Sequence, residues 1–335
     1  MTTRLLWPRR SALAALTAGL AAPALGQPPG AVIVSPPLSQ APADRPPAGG
    51  GALLETAFDR AMRLTVPVYL NGKGPFAFVV DTGANRSVVS IELAAACGLA
   101  DAGSAPVHGI IAIEPARLVE VGRLRVGEVI SSGLRLPSLS QVRMGAAGIL
   151  GLDVLQGRRI LLGFGDQTFQ IAASSSGADI GRGVNSRVSD PYQPVTVPAR
   201  MRSGQLVIID AEAAGRGITA FLDSGSQVTV ANGVLKRSAL AAVPELANQI
   251  FRSELISATG QRAPAEFAPL PGLRLGGQLL DSPLVAFADL HIFDLWGLRD
   301  RPTVLIGVDI LRRFEQVAFD FGRKRITFWP LRPHR

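Results

Sequence analysis

The sequence predicts an all-β fold built from two halves that follow one plan. Composition is the first observation: aromatic residues are only 6%, while Gly (36) and Pro (25) are frequent. That mix suits short strands joined by tight turns better than a helical bundle. The second is a fixed order of elements that occurs twice along the chain. The third is that each copy opens with a hairpin ending in an acidic turn, Asp81-Thr82-Gly83-Ala84 and Asp223-Ser224-Gly225-Ser226. At 335 residues, 47% of them apolar and 18% charged, the chain is long enough for two lobes, each with its own core.

The first copy opens with a strand over residues 65–70. The turn Asn71-Gly72-Lys73-Gly74 follows, and then a strand over 76–80 that delivers Asp81. The second copy opens with a strand over 206–211, a turn around Gly215-Arg216-Gly217 and a strand over 218–222 that delivers Asp223. Gly and Asn accept the backbone angles a tight reversal needs, so these are hairpin signals with a mechanism. Further along, Leu124-Arg125-Val126-Gly127 is echoed by Leu273-Arg274-Leu275-Gly276. Gly148-Ile149-Leu150-Gly151-Leu152-Asp153-Val154-Leu155 is then echoed by Leu305-Ile306-Gly307-Val308-Asp309-Ile310-Leu311. Each copy closes on a turn between strands, Phe164-Gly165 and Phe321-Gly322.

The segments around these copies set the expected domain limits. Arg4, Arg9 and Arg10 precede an apolar stretch over 12–22 that ends in Ala24-Leu25-Gly26, the pattern of a signal peptide over residues 1–26. The Arg9-Arg10 pair fits either a twin-arginine or a general secretory route, to a periplasmic or secreted location. Residues 27–52 are rich in Pro, Ala and Gly without hydrophobic periodicity and read as a flexible linker. The first lobe is expected over 53–173, a Ser/Gly-rich linker over 174–190, and the second lobe over 191–335. After the signal no stretch is apolar enough for a membrane span.

A net charge of +8 raises the question of nucleic acid. The Arg residues are spread thinly, with no basic run interleaved with aromatics, so no nucleic-acid partner is expected. Arg323 to Arg325 reads as a solvated hairpin turn. The single cysteine, Cys97, forms no internal disulfide and lies in an apolar run, where it is expected to act as a small buried hydrophobe. Gly-x-Ser-x-Gly and His-Glu-x-x-His are absent, and three scattered His with one Cys do not make a zinc site.

One Asp-Thr/Ser-Gly is explained as a polar turn; two at matching places in a repeat are not. The residue types fit a hydrolase with two carboxylates. Two carboxyl groups about 3 Å apart share one proton over a wide pH range and hold a water between them. Gly83 and Gly225 permit sharp turns and close backbone approach. Thr82 and Ser224 offer hydroxyls to lock the turns together, and Gly151 and Gly307 are expected beneath the loops.

These residues resemble the aspartic protease superfamily, retropepsin-like and pepsin-like, over nearly all of residues 53–329. The resemblance implies a bilobal all-β aspartic (acid) protease fold: two closed, barrel-like lobes with short helices and a cleft between them. It implies an aspartic endopeptidase with Asp81 and Asp223 as catalytic residues, a peptide or protein substrate, and no cofactor or metal. Because the chain looks like two retropepsin-like halves in tandem, a monomer with an internal pseudo-two-fold is expected. Hairpin flaps are implied around His108-Gly109 and Thr259-Gly260. Neither carries the tyrosine of pepsin-like enzymes, which draws the likeness toward the retropepsins. His108 is left open between substrate contact and simple solvation. Ala84 follows the first motif where Ser226 follows the second; a hydroxyl donated to Asp223 would make it the more readily ionised partner. The alternative to an enzyme is a protein of the same fold that holds a peptide or periplasmic partner without cutting it.

Overall fold

The computed structural model describes residues 51–59, 62–174, 192–202, 205–208 and 211–331. The predicted signal peptide, the tether up to residue 50 and linker residues 175–190 lie outside the described residues. Strands dominate. In the first half they are β1 (Gly51–Glu55), β2 (Ala57–Phe58), β3 (Leu64–Leu70), β4 (Lys73–Val80), β5 (Val88–Ser90) and β6 (Asp101–His108). Next come β7 (Ile113–Val126), β8 (Val129–Leu139), β9 (Gly148–Leu150), β10 (Arg158–Gly163) and β11 (Thr168–Ala173). The second half holds β12 (Val195–Arg202), β13 (Gln205–Ile208), β14 (Ala211–Ala213), β15 (Arg216–Gly217), β16 (Thr219–Leu222), β17 (Val230–Ala231) and β18 (Phe251–Ile256). It continues with β19 (Arg262–Pro269), β20 (Arg274–Leu275), β21 (Gln278–Leu279), β22 (Leu284–Phe287), β23 (Thr303–Ile306), β24 (Phe314–Asp320) and β25 (Arg325–Pro330). The helices are short: α1 (Ile91–Cys97), α2 (Gln141–Met144), α3 (Leu152–Leu155), α4 (Gly233–Ala242), α5 (His291–Leu295) and α6 (Val308–Leu311).

In the first half, β3, β4, β9, β5, β8 and β7 follow one another, and a β3–β7 pairing closes them into a six-stranded barrel. The turn from β3 to β4 needs only two residues, Asn71 (φ 49°) and Gly72 (φ 84°). Both occupy the left-handed region that a two-residue hairpin turn demands, so β4 starts at Lys73, earlier than the sequence predicts. The closing strands β5, β9 and β23 are buried at every residue, because both their faces are covered.

The second half repeats the strand order. Its run β13-β16-β23-β17-β22-β19-β18 matches β3-β4-β9-β5-β8-β7-β6 position by position. The pairing that would close a second ring falls in a separate small sheet, where β14 meets β20. Of the strand predicted over 206–211, residues 206–208 lie in β13 and Ala211 opens β14, while residues 209–210 lie outside the described residues. Gly127 and Gly276 each turn a hairpin with φ near +55° (55° and 56°).

The second run continues through β12 into a further order, β1-β11-β10-β24-β25-β12, all antiparallel, with three strands from each half. At its centre Ile160 faces Phe319 and Leu162 faces Val317. β1 begins at Gly51, two residues before the predicted start, because backbone pairing with Ala172 and Ile171 needs no apolar pattern. One hydrophobic core runs across both halves, from Leu64 and Phe78 through Phe169 to Phe319 and Phe328. All described residues fall within one contact unit, Gln40–Arg335. The turns at Phe164-Gly165 and Phe321-Gly322 form as predicted, and Arg323 to Arg325 lies at the second of them. Cys97, at the end of α1, is half-buried rather than fully buried; burial pushes its thiol up, which leaves it a weak nucleophile. Among the described residues no helix is long and apolar enough to cross a membrane.

Candidate active site

Asp81 follows β4 and Asp223 follows β16. In each half the strand before the aspartate runs parallel to the strand carrying the Ile-Leu-Gly or Leu-Ile-Gly motif, so Val80 pairs with Leu150 and Leu222 with Ile306. The Asp81 N–H donates to Leu150 O (3.0 Å) and the Asp223 N–H to Ile306 O (2.9 Å). Beneath, Leu152 N–H donates to Ala84 O and Val308 N–H to Ser226 O, both at 2.8 Å. A Cβ on Gly151 would lie 2.8 Å from Ala84 O, and one on Gly307 2.9 Å from Ser226 O. Glycine is what lets the backbones meet there.

Two carboxylates support this layer from below. Asp153 Oδ1 accepts from the Ser87 N–H and hydroxyl (2.9 and 2.6 Å), and Ser87 Oγ accepts from Gly151 N–H (3.0 Å). Asp309 accepts from the Thr229 N–H and hydroxyl (2.9 and 2.7 Å), and Thr229 Oγ1 accepts from Gly307 N–H (3.0 Å). Sequence reasoning used both aspartates only as echoes; the loops they hold are visible only in the folded chain.

The turns are interlocked. Thr82 N–H donates to Ser224 Oγ and Ser224 N–H to Thr82 Oγ1, each at 3.1 Å. The Thr82 hydroxyl donates onward to Leu222 O (2.9 Å) and the Ser224 hydroxyl to Val80 O (2.8 Å). All four bonds are buried, so each hydroxyl is satisfied only by the opposite half.

This lattice presses the two carboxyls together. A Cβ on Gly83 would lie 2.5 Å from Asp223 Cγ, and one on Gly225 2.2 Å from Asp81 Cγ. Asp81 Oδ1 accepts from Gly83 and Ala84 N–H (2.7 and 2.9 Å); Asp223 Oδ1 accepts from Gly225 and Ser226 N–H (2.9 and 3.0 Å). Asp81 and Asp223 also hydrogen-bond each other. Burial pushes both above the usual carboxylate range. Asp81 is drawn back by its hydrogen bonds, including that from Asp223, and by the Arg63 guanidinium. Asp223 stands well above, because burial is joined by the charge of Asp81.

The expectation that Ser226 makes Asp223 the more readily ionised partner is therefore wrong. The Ser226 hydroxyl donates to Val228 O (2.9 Å), away from the carboxylate, and only its N–H serves Asp223.

The flap candidates lie at two hairpin tips, between β6 and β7 and between β18 and β19. A Cβ on Gly109 would lie 3.1 Å from Thr259 Oγ1, so the tips meet. Each tip also docks on the other half. Ile110 and Ile111 pack against the second-half cluster around Phe221, Phe293 and Trp296, and Ile292 N–H donates to Ile110 O (3.2 Å). Ala258 packs with Ala84, Val88 and Met144 of the first half, and Arg143 Nη1 donates to Thr259 O (2.9 Å) beside Gly260. His108 is exposed but not merely solvated: its Nδ1 lies 3.1 Å from His291 Nε2, with the rings stacked. Sequence reasoning missed His291, Arg143 and Arg63, because no local pattern marks which distant loop a side chain will reach.

Residues 66–154 match a family model described as aspartyl protease. Over these residues the chain is similar to the aspartyl protease family. That match spans the first turn and the segment through Val154 and stops short of Asp223. A search of curated proteins finds no match. Among the described residues no group of three or more His, Cys, Asp or Glu could hold a metal ion.

Proposed function

We propose that the chain is an exported aspartic endopeptidase in which Asp81 and Asp223 activate a water between them. The family match supports a protease-like function in general; the endopeptidase chemistry is our reading. The observation that carries it is the pair of carboxyls pressed against the glycines of two matching, interlocked turns. Two carboxyls this close retain one proton over a wide pH range. The charged member takes a proton from the attacking water, while the protonated member donates to the peptide carbonyl oxygen. The proton gained from water then passes to the leaving nitrogen.

Both aspartates lie in one chain, whose halves pair through β10 and β24; this supports a monomer of two tandem halves related by a pseudo-two-fold. Paired hairpin tips above the turns suit an extended peptide or protein substrate, held by main-chain hydrogen bonds. The Arg9-Arg10 pair, the apolar stretch and Ala24-Leu25-Gly26 support export.

The test is cleavage of a mixed peptide library by the mature chain, across acidic to neutral pH. Asp81→Asn and Asp223→Asn should each lower the rate about 10²–10⁴-fold or more. Unchanged cleavage in either variant would move the chemistry elsewhere. A folded parent that cuts nothing at any pH would favour a partner-holding protein of the same fold.

A further inference from the structure

Arg63 immediately precedes β3 and is buried, with 5% of its surface exposed. A buried guanidinium is costly unless its donors find partners. Its Nε donates to Asp59 Oδ2 (2.7 Å), Nη2 to Met144 O (2.5 Å), and Nη1 reaches Gly225 O at 3.5 Å. The Arg63 backbone N–H also donates to Asp59 Oδ1 (2.9 Å). These partners come from the segment before β3, the end of α2 and the second acidic turn. Gly225 is the residue that gives its N–H to Asp223 and abuts the Asp81 carboxyl. One cation therefore reaches across the halves to the turn that holds Asp223.

Among the described residues no cation of the second half stands at the matching place. Thr65 pairs with Val79 and Val207 with Phe221, each partner standing two residues before its aspartate. By that register Arg63 corresponds to Gln205, an uncharged residue. The other ionisable groups near the turns are otherwise engaged. Asp153 and Asp309 hold Ser87 and Thr229, Arg86 donates to Arg135 O, and Arg143 donates to Thr259 O. The Arg63 charge draws Asp81 back toward its ionised form, while the charge of Asp81 raises Asp223.

We propose that Arg63 is a positioning residue for the carboxylate pair, tying the Asp223 turn to the first half and keeping the pair's negative charge on Asp81. Its consequence for catalysis rests on the proteolytic reading: Asp81 becomes the base and Asp223 the acid. The charge asymmetry itself belongs to the resting protein.

The test is a carboxyl-carbon NMR titration of the full chain labelled at aspartate, with signals assigned through Asp81→Asn and Asp223→Asn. In the parent, Asp223 should titrate in the higher-pH step and Asp81 in the lower one. Because Arg63→Met alone would remove the ion pair to Asp59, the variant is Asp59→Asn with Arg63→Met. It should redistribute the shared proton about tenfold, closing the spacing of the steps by about one pH unit. Arg63→Lys should retain the parent's order of protonation. The proposal falls if Asp81 takes the first proton in the parent, or if the folded double variant keeps the parent's spacing. The parent result decides even where the variant does not fold. A parent that cleaves no peptide would sink the proteolytic reading and leave this titration readable.

Discussion

Burial and the charge of Asp81 raise the Asp223 carboxyl above the usual carboxylate range, and this bears on stability as well as chemistry. Its folded state binds a proton more tightly than the unfolded chain, in which an aspartate titrates near pH ~3.9. Stability must therefore fall as pH rises from about 4 to the point where folded Asp223 ionises. Asp223→Asn removes that loss while keeping a polar amide against Asp81. Urea unfolding at neutral pH should find it more stable than the parent by on the order of 1 kcal/mol, the gain fading below about pH 4. Ser226→Ala should leave both limbs of the pH–rate profile in place, since the hydroxyl serves Val228 O and the N–H that holds Asp223 is kept. The aspartates and their hydroxyl neighbours were legible in the sequence as a doubled motif. The direction of the Ser226 hydroxyl was not, because it depends on where the backbone of residue 228 passes.

At the scale of elements, the two hairpins matter for the contacts their tips make. His108 and Ile110 belong to β6 and the tip that follows, yet their partners are His291 and Ile292 at the start of α5. Replacing His108 by Ala removes one such contact and leaves the hairpin's own ladder intact. Hydrogen exchange at the Ile292 amide should then quicken several-fold, while amides of β7 and β8 keep the parent's rates. Equal rates at Ile292 in parent and variant would mean the imidazole pair does not hold the tip. The hairpins were foreseen from turn residues, which act over a few positions. The exchange of tips between halves was not, since contacts between residues 183 apart leave no local trace.

At the scale of the molecule, the β10–β24 pair and the core that crosses it bind the halves into one system. The barrel strands β3 and β4 share that core with β24 and β25. Unfolding by urea should accordingly be a single transition, with tryptophan fluorescence and far-ultraviolet circular dichroism coinciding. Trp296 reports on the second half and Trp329 on the shared sheet. Two separated transitions would show that each half is stable without the other.

What the sequence by itself determined was the repeat, and with it the all-β class, the hairpins and the aspartates at their ends. Those features are written locally: glycine and asparagine fix turns, apolar runs fix strands, and two copies in one order fix a correspondence. Tertiary structure alone decided how the copies meet. The crossed hydroxyl bonds of Thr82 and Ser224, the docking of each tip on the opposite half and the reach of Arg63 to Gly225 all join residues more than a hundred positions apart. The physical reason is burial. Once packing excludes water, each buried donor and charge must find a partner wherever the fold supplies one, and only the fold says where that is.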